Sequence, residues 1–309
     1  MSSIRKAFCR PIFGEWRPSR AWVGLLHPSS SLHLTKPICK GTFLLVTLVG
    51  AVASGLTTSG QSTFANSLYG ALVSTAGLSL FTYALGPVSG AHLNPTISVA
   101  TFFAGLSTLP RTVLYVCAQA IGGVVAGYWI RLGLGEDYFP HGVIPGCTVD
   151  PTVVSPGQLF ALEYAFSLIL LVLAFGIGLD PRQSSALGPT FAPLLVGCTL
   201  GVSNLSSGLS RVGYTGVCTS ILALNEDHAT LLTEPSAFNP ARCLGLMAAK
   251  GDFQYHYVHW FGPLAAAVVN GLFYHLAPPW KDQTSLFDRL AHVSPLKSQK
   301  NPRAHRQGA

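Results

Sequence analysis

A chain of 309 residues with a mean hydropathy of +0.42 and only 10% charged residues lacks the charge that a soluble surface of that size needs. Its net charge of +7 sits at the ends, with seven Lys/Arg against one Glu in residues 1–40 and six against two Asp in residues 278–309. This excludes an ordinary soluble enzyme and speaks against a nucleic-acid partner, because a membrane chain with basic ends is simply obeying the rule that basic flanks stay cytoplasmic.

In chain order, residues 1–37 read as a basic cytoplasmic tail. They lack the apolar core of a cleaved signal, although their Arg-rich, acid-poor composition also suits a mitochondrial transit peptide. Apolar runs follow at about 41–58, 66–86, 112–133, 158–179, 187–207 and 257–277. Each can cross a hydrocarbon core of ~30 Å, which takes ~20 helical residues. Glycine is frequent inside them, as close helix packing in lipid requires. Residues 281–309 form a second basic tail. Six spans put both tails on the cytoplasmic side, with Arg111 and "DPRQ" (180–183) in cytoplasmic loops. The segments 134–157 and 217–235 contain no Lys or Arg and fall outside. A multi-pass protein of the plasma membrane is expected, with a vacuolar or other internal membrane as the alternative, its basic tails suited to anionic lipid.

Two short segments break this pattern. "GAHLNPTISVA" (90–100) and "SAFNPARCLG" (236–245) each place Asn-Pro before a stub too short to span, 145 residues apart. From Ile38 to Asn94 is 56 residues and from Glu163 to Asn239 is 76, but omitting the 19 residues 217–235 reduces the second spacing to 57. Three spans per half then make an inverted repeat, about 38–133 and 158–277, in which the stubs enter from opposite faces. The expected fold is an all-α membrane protein of six transmembrane helices plus two re-entrant half-helices. Asn caps a helix start and Pro suits its first position. Two half-helix N-termini, each carrying ~0.5 e, meet near the midplane. Asn amides can offer N–H donors there, so a neutral oxygen-bearing solute is handed on while a cation is opposed. Asn94, Pro95, Thr96 and Asn239, Pro240, Ala241 are thus the expected pore motifs. The segment 217–235 joins "GYTG" to "SAFNPARC" and reads either as an outer loop insertion or as an unspliced short intron.

Seven cysteines without a CxxC pair argue against a disulfide framework or a zinc site, and no metal or cofactor is expected. Cys147 and Cys218 both fall in outer loops, but nothing in the spacing pairs them. His256, His259 and Trp260 open the last span and read as an interfacial aromatic belt rather than a metal site. "NLS" (204–206) lies in a span, which leaves it a sequon by letters only. No hydrolase or metalloprotease motif occurs. A carrier would bring coupling carboxylates to the midplane, where Glu163 is the one acid found. A non-conducting scaffold is the remaining rival, because 217–235 interrupts a pore loop.

"SGAHLNPT" (89–96), "GYTG" (213–216), "NPAR" (239–242) and "WFGPLAAAVV" (260–269) make residues 38–280 resemble the major intrinsic proteins, the aquaporin and glycerol-facilitator family. Thr96 and Cys243 look like the X-intrinsic protein subgroup. The resemblance implies a homotetramer with one pore per subunit, passing water or small neutral solutes such as glycerol, urea, boric acid or hydrogen peroxide. It also implies a filter at the outer mouth, carried onto Arg242, Ser236, Gly208 and either Ser74 or Ala76. Apart from Arg242 these residues are small, so a filter wider than that of a strict water channel is expected. Ile38 stands where the family usually carries Glu. Glu163 keeps the counterpart and is read as pore support, bonding loop backbone near the stubs. Cys243 is counted with it, and His92 is either pore-lining or a packed turn residue.

Overall fold

In hydrocarbon every backbone polar group must be paired within the protein, and helices are the way a chain of this composition does so. The computed structural model describes residues 28–58, 62–135, 147, 149, 154–179, 188–210, 215–216, 233–234 and 236–276. Residues 1–27, Asp180–Gln183, Cys218, most of 217–235 and the second tail lie outside them. Eight α-helices are described: α1 (Pro28–Thr58), α2 (Thr63–Ser89), α3 (Pro95–Phe103), α4 (Leu109–Leu134), α5 (Pro156–Ala174), α6 (Gly188–Ser210), α7 (Pro240–Lys250) and α8 (Val258–Leu276). A π-helical turn, Phe175–Leu179, prolongs α5, and two short strands, β1 (Thr215–Gly216) and β2 (Thr233–Glu234), pair antiparallel.

Local chemistry sets these boundaries. Ser155 and Gln158 form a reciprocal capping box at the start of α5, with both bonds made at 3.2–3.3 Å. Gly90 ends α2 at φ +80, a left-handed cap that glycine adopts without strain. The first helix begins at Pro28, so residues 28–37, the end of the basic tail expected from the sequence, are helical. Their Ser and Thr lower the apolar average without opposing the helix, and a starting Pro supplies a helical φ.

Five described helices are long and apolar enough to cross a membrane. The sixth span, α8, has 19 residues and carries the buried polar His259 and Asn270. Leu72, Leu80, Leu132 and Phe273 stay 56–73% exposed, while Gln119, Glu163 and His259 are fully buried. An apolar outside around a polar inside belongs in lipid, and the chain is an integral membrane protein.

The packing repeats itself between the halves. Within the first half α1 lies on α4, and within the second α5 lies on α8. Across the halves α4 packs on α7, α8 packs on α3, and α2 packs on α6 about the middle. The half-helices α3 and α7 have 9 and 11 residues, so each reaches about 14–17 Å, roughly half the hydrocarbon depth. The fold is thus six spans with two half-helices in an inverted repeat.

Glycine lets the half-helices in so deeply. A Cβ on Gly123 of α4 would fall on the Ala241 carbonyl of α7, and one on Gly127 would fall on the Gly245 carbonyl. At the matching contact, a Cβ on Gly271 of α8 would come 2.6 Å from the Ala100 carbonyl of α3. Small residues allow backbones to approach in this way where lipid gives no hydrophobic drive. Gly127→Ala should therefore overpack the interface and cost about 1–3 kcal/mol. Gly133→Ala on the same helix meets nothing within 4 Å and should be neutral or slightly stabilising. Thermal unfolding of the two variants in detergent micelles tests the contrast, and equal melting would disprove the close-packing account.

Candidate functional site

The two helix starts are built alike. Asn94 caps α3 by accepting from Thr96 N at 2.9 Å, and Asn239 caps α7 by accepting from Ala241 N and Arg242 N at 3.1 and 3.4 Å. Pro95 and Pro240 occupy the first helical positions, where a missing N–H costs nothing. With the side-chain oxygens so engaged, the amide nitrogens reach across. Asn94 Nδ2 donates to the Phe238 carbonyl and Asn239 Nδ2 donates to the Leu93 carbonyl, both at 2.9 Å. Each loop thus holds the other. An amide has two N–H donors, so each Asn keeps one beyond this clip.

Thr96 and Phe238 strengthen one side of it. Thr96 Oγ1 donates to the same Phe238 carbonyl at 3.0 Å. Phe238 is buried at φ +50, a conformation costly for a bulky residue, and it centres a γ-turn closed by Asn239 N and the Ala237 carbonyl. That turn aims the Phe238 carbonyl at α3.

The second loop is held from below by Glu163. Its carboxylate accepts from Ala237 N at 2.8 and 3.1 Å and from Ser236 Oγ at 2.8 Å, while Ser236 N donates to Ser207 Oγ at 3.0 Å. The first loop lacks this device, because Ile38 is buried against Tyr115 and Ala118. Support comes from α4 instead. Gln119 Nε2 donates to the His92 carbonyl at 2.7 Å and to Ser98 Oγ at 2.9 Å, and Tyr115 hydroxyl donates to the Ser89 carbonyl at 3.1 Å. Arg111 Nη2 donates to that hydroxyl at 2.8 Å. His92 Nδ1 lies 3.3 Å from Ser98 Oγ and its ring stands edge-on to Tyr115, so this side chain is packed into the turn.

At the start of α7, Arg242 is partly buried and donates through Nη2 to Cys147 Sγ at 3.7 Å. Cys147 is disulfide-bonded to Cys243, a partner that the sequence reading did not consider because Cys243 sits inside a half-helix. His259 is fully buried between Glu163 Oε1 at 3.3 Å and the Cys147 carbonyl at 2.7 Å. That places it in the interior rather than in an interfacial belt. His256 and Trp260 do pair, with Trp260 Nε1 donating to His256 Nε2 at 2.9 Å. Burial, aided by the neighbouring His259, lowers the His256 pKa to about 4, so the ring is neutral near neutrality and has a nitrogen able to accept.

The remaining filter candidates sit differently from one another. Ser74 is on the buried face of α2, whereas Ala76 falls on the exposed stripe with Leu72 and Leu80. Helical register separates these two alternatives, since residues two apart lie on different faces. Ser236 is buried with its hydroxyl on Glu163, and a Cβ at Gly208 would come 2.9 Å from Ser67 Oγ. Sequence reasoning missed Tyr115, Gln119, Cys147, His259 and Phe238 as site residues. Arg111, Tyr115 and Gln119 recur every four residues along an apolar span, a polar stripe that could have been read.

Comparison with known proteins places this geometry. The family model for major intrinsic proteins matches residues 38–218. A probable aquaporin, TIP4-2, of Oryza sativa subsp. japonica is 32% identical over 190 residues, 61% of this chain and 62% of that protein. The chain thus spans rather under two thirds of that relative's length. Aquaporin-2 of Ovis aries is 32% identical over 218 residues, covering 69% of this chain and 68% of that one. The solved aquaglyceroporin of Plasmodium falciparum superposes with a TM-score of 0.60 at 21% identity, over 85% of this chain and all of that one. Fold, opposed half-helices and family model agree, and this chain belongs to the major intrinsic protein family.

Proposed function

We propose that the chain is a membrane channel that passes water and small neutral solutes in either direction. The observation that carries this reading is the reciprocal Asn94–Phe238 and Asn239–Leu93 clip, which leaves one further N–H on each Asn where two half-helix N-termini meet. A solute oxygen accepts from those donors in turn. In aquaporin-type pores generally, an Arg and the positive ends of half-helices oppose cations and protons, and Arg242 and the two N-termini supply both here. The filter is read as Arg242 with Ser74, Gly208 and Ser236, whose small side chains suit solutes of glycerol size. The channel works as a homotetramer in the plasma membrane with both tails cytoplasmic.

Flux through proteoliposomes tests the pore. Linear, unsaturated solute flux is expected, and no flux at all would instead support a scaffold. Asn94→Asp or Asn239→Asp removes a donor from the clip and puts a carboxylate where the cation barrier stands, so neutral flux should fall and cation leak should rise. If both variants keep wild-type flux and cation exclusion, the paired-motif mechanism fails.

The filter is checked by size. Ser74→Phe with Gly208→His should cut glycerol flux more than water flux. Ala76→Phe, on the exposed stripe, should change neither. Equal loss of both solutes in the first variant would mean that the constriction lies elsewhere.

The segment 217–235 is read as an outer loop insertion rooted beside the path. Thr215 pairs with Glu234 and Gly216 with Thr233, so the chain departs and returns at neighbouring positions. Replacing residues 217–232 by Asn-Gly, the pair suited to a two-residue hairpin turn, should keep flux within about twofold. Loss of flux with intact assembly would show that the insertion contributes to the pore.

A further inference from the structure

The Cys147–Cys243 bond joins the connection between α4 and α5 to the half-helix α7, beside Arg242. Neither sulfur belongs to the Asn clip. We propose that in their dithiol form Cys147 and Cys243, together with His259, bind a thiophilic d10 cation of the Zn2+ or Cd2+ class, so that metal and disulfide are alternative cross-links at one place.

The three residues are fully buried, and their ligand atoms all lie within 4.8 Å of one another. Metal–sulfur and metal–nitrogen bonds of ~2.3 and ~2.0 Å put tetrahedral ligands roughly 3.5–3.8 Å apart, so the two sulfurs, bonded in the oxidised form, must part by roughly 1.7 Å. His259 is within reach of this role. Its Nδ1 lies 3.3 Å from Glu163 Oε1, and its Nε2 is bonded to the Cys147 carbonyl at 2.7 Å, a bond that it must exchange for one to the metal. A carboxylate on one imidazole nitrogen with the metal on the other is the usual way a ligating histidine is fixed and made more basic. Ala237 and Met247 pack against the two cysteines and wall the site with apolar groups. Two thiolates cancel the charge of a dication, so loading adds no net charge next to Arg242. Two sulfurs and one nitrogen leave a fourth position for water.

The chemistry balances without the pore's solutes. A small-molecule dithiol cleaves the S–S bond and closes into its own disulfide, its two protons passing to Cys147 and Cys243. Metal binding then releases two protons, one from each thiol. In either cross-linked state Cys147 stays on α7, and the dithiol form without metal is the one that frees it.

The full-length protein in detergent micelles is reduced anaerobically with such a dithiol, freed from it by gel filtration, and titrated with Cd2+. The expected result is one Cd2+ per chain with thiolate-to-cadmium charge-transfer absorption. Alkylation of Cys147 and Cys243, mapped by peptide mass spectrometry, should slow at least about tenfold, while Cys39, Cys117 and Cys198 react as before. His259→Ala should weaken binding by at least about tenfold, the scale on which even an outer partner of a ligand matters, and His259→Cys should restore it. The mapping uses the unaltered chain, so a variant that does not fold leaves the test standing. Protection confined to other cysteines, resistance of the pair to reduction in the folded protein, or unchanged affinity in the Cys147→Ser/Cys243→Ser double variant overturns the proposal. No flux enters this measurement, so its failure is separate from failure of the channel reading.

Discussion

Two helix N-termini aimed at each other are a repulsive arrangement, each end carrying ~0.5 e of positive partial charge in a medium that screens poorly. They stay together because Asn94 and Asn239 each donate to a carbonyl of the opposite loop, at 2.9 Å in both directions. These bonds do two tasks. They satisfy the Leu93 carbonyl and, together with Thr96, the Phe238 carbonyl, and they fix the separation of the two positive ends. Other features serve to deliver the loops to this contact. Glycines on α4 and α8 let the half-helices sink between the spans, and the Phe238 turn rotates its carbonyl toward α3. Without the clip, the close packing would press like poles together with only the Thr96–Phe238 bond to offset them.

The inverted repeat is symmetric in packing but not in chemistry. The second loop hangs from an acid, with Glu163 accepting from Ala237 N and Ser236 while His259 abuts its other side. The first loop is held by neutral groups, Gln119 and Tyr115, reaching from α4 to backbone carbonyls. The polarity of the bonds is thus reversed. A carboxylate can only accept, so the second loop presents N–H groups. Gln119 and Tyr115 donate, so the first loop presents carbonyls. A Glu at position 38 could not replace them without new donors, and Ile38 in an apolar cluster is consistent with a first loop arranged the other way round.

Much of the fold was legible because its signals are local. Apolar runs of span length, basic ends and the doubled Asn-Pro are each readable within a short window, and their order dictates an inverted pair. The capping roles of Asn94 and Asn239 follow from residue type alone. What escaped is contact between distant parts of the chain. Cys147 and Cys243 are 96 residues apart and joined only because α7 folds back toward the α4–α5 connection. His259 looked interfacial from its place at the head of a span, yet tertiary packing against Glu163 turns it inward. Ser74 and Ala76 could not be separated by counting, because the count depends on a gap, while the helical face does not.

The segment 217–235 poses the sharpest conflict between local sequence and the site, since it ends immediately before the loop that carries Ser236, Phe238 and Asn239. Among the described residues, the loop has anchors outside its upstream chain. Ser236 N is held by Ser207 of α6, Ala237 N by Glu163 of α5, and the Asn239 side chain by Leu93 of the opposite loop. These anchors come from three separate elements, and none involves residues 217–235. Upstream, Gly216 and Thr233 are paired, so the ends of the intervening stretch are held together whatever its length. The closure cost of such a stretch grows only with the logarithm of its length, so residues added there weigh little against three fixed contacts downstream. The geometry of a loop anchored this way is set by what it touches in space.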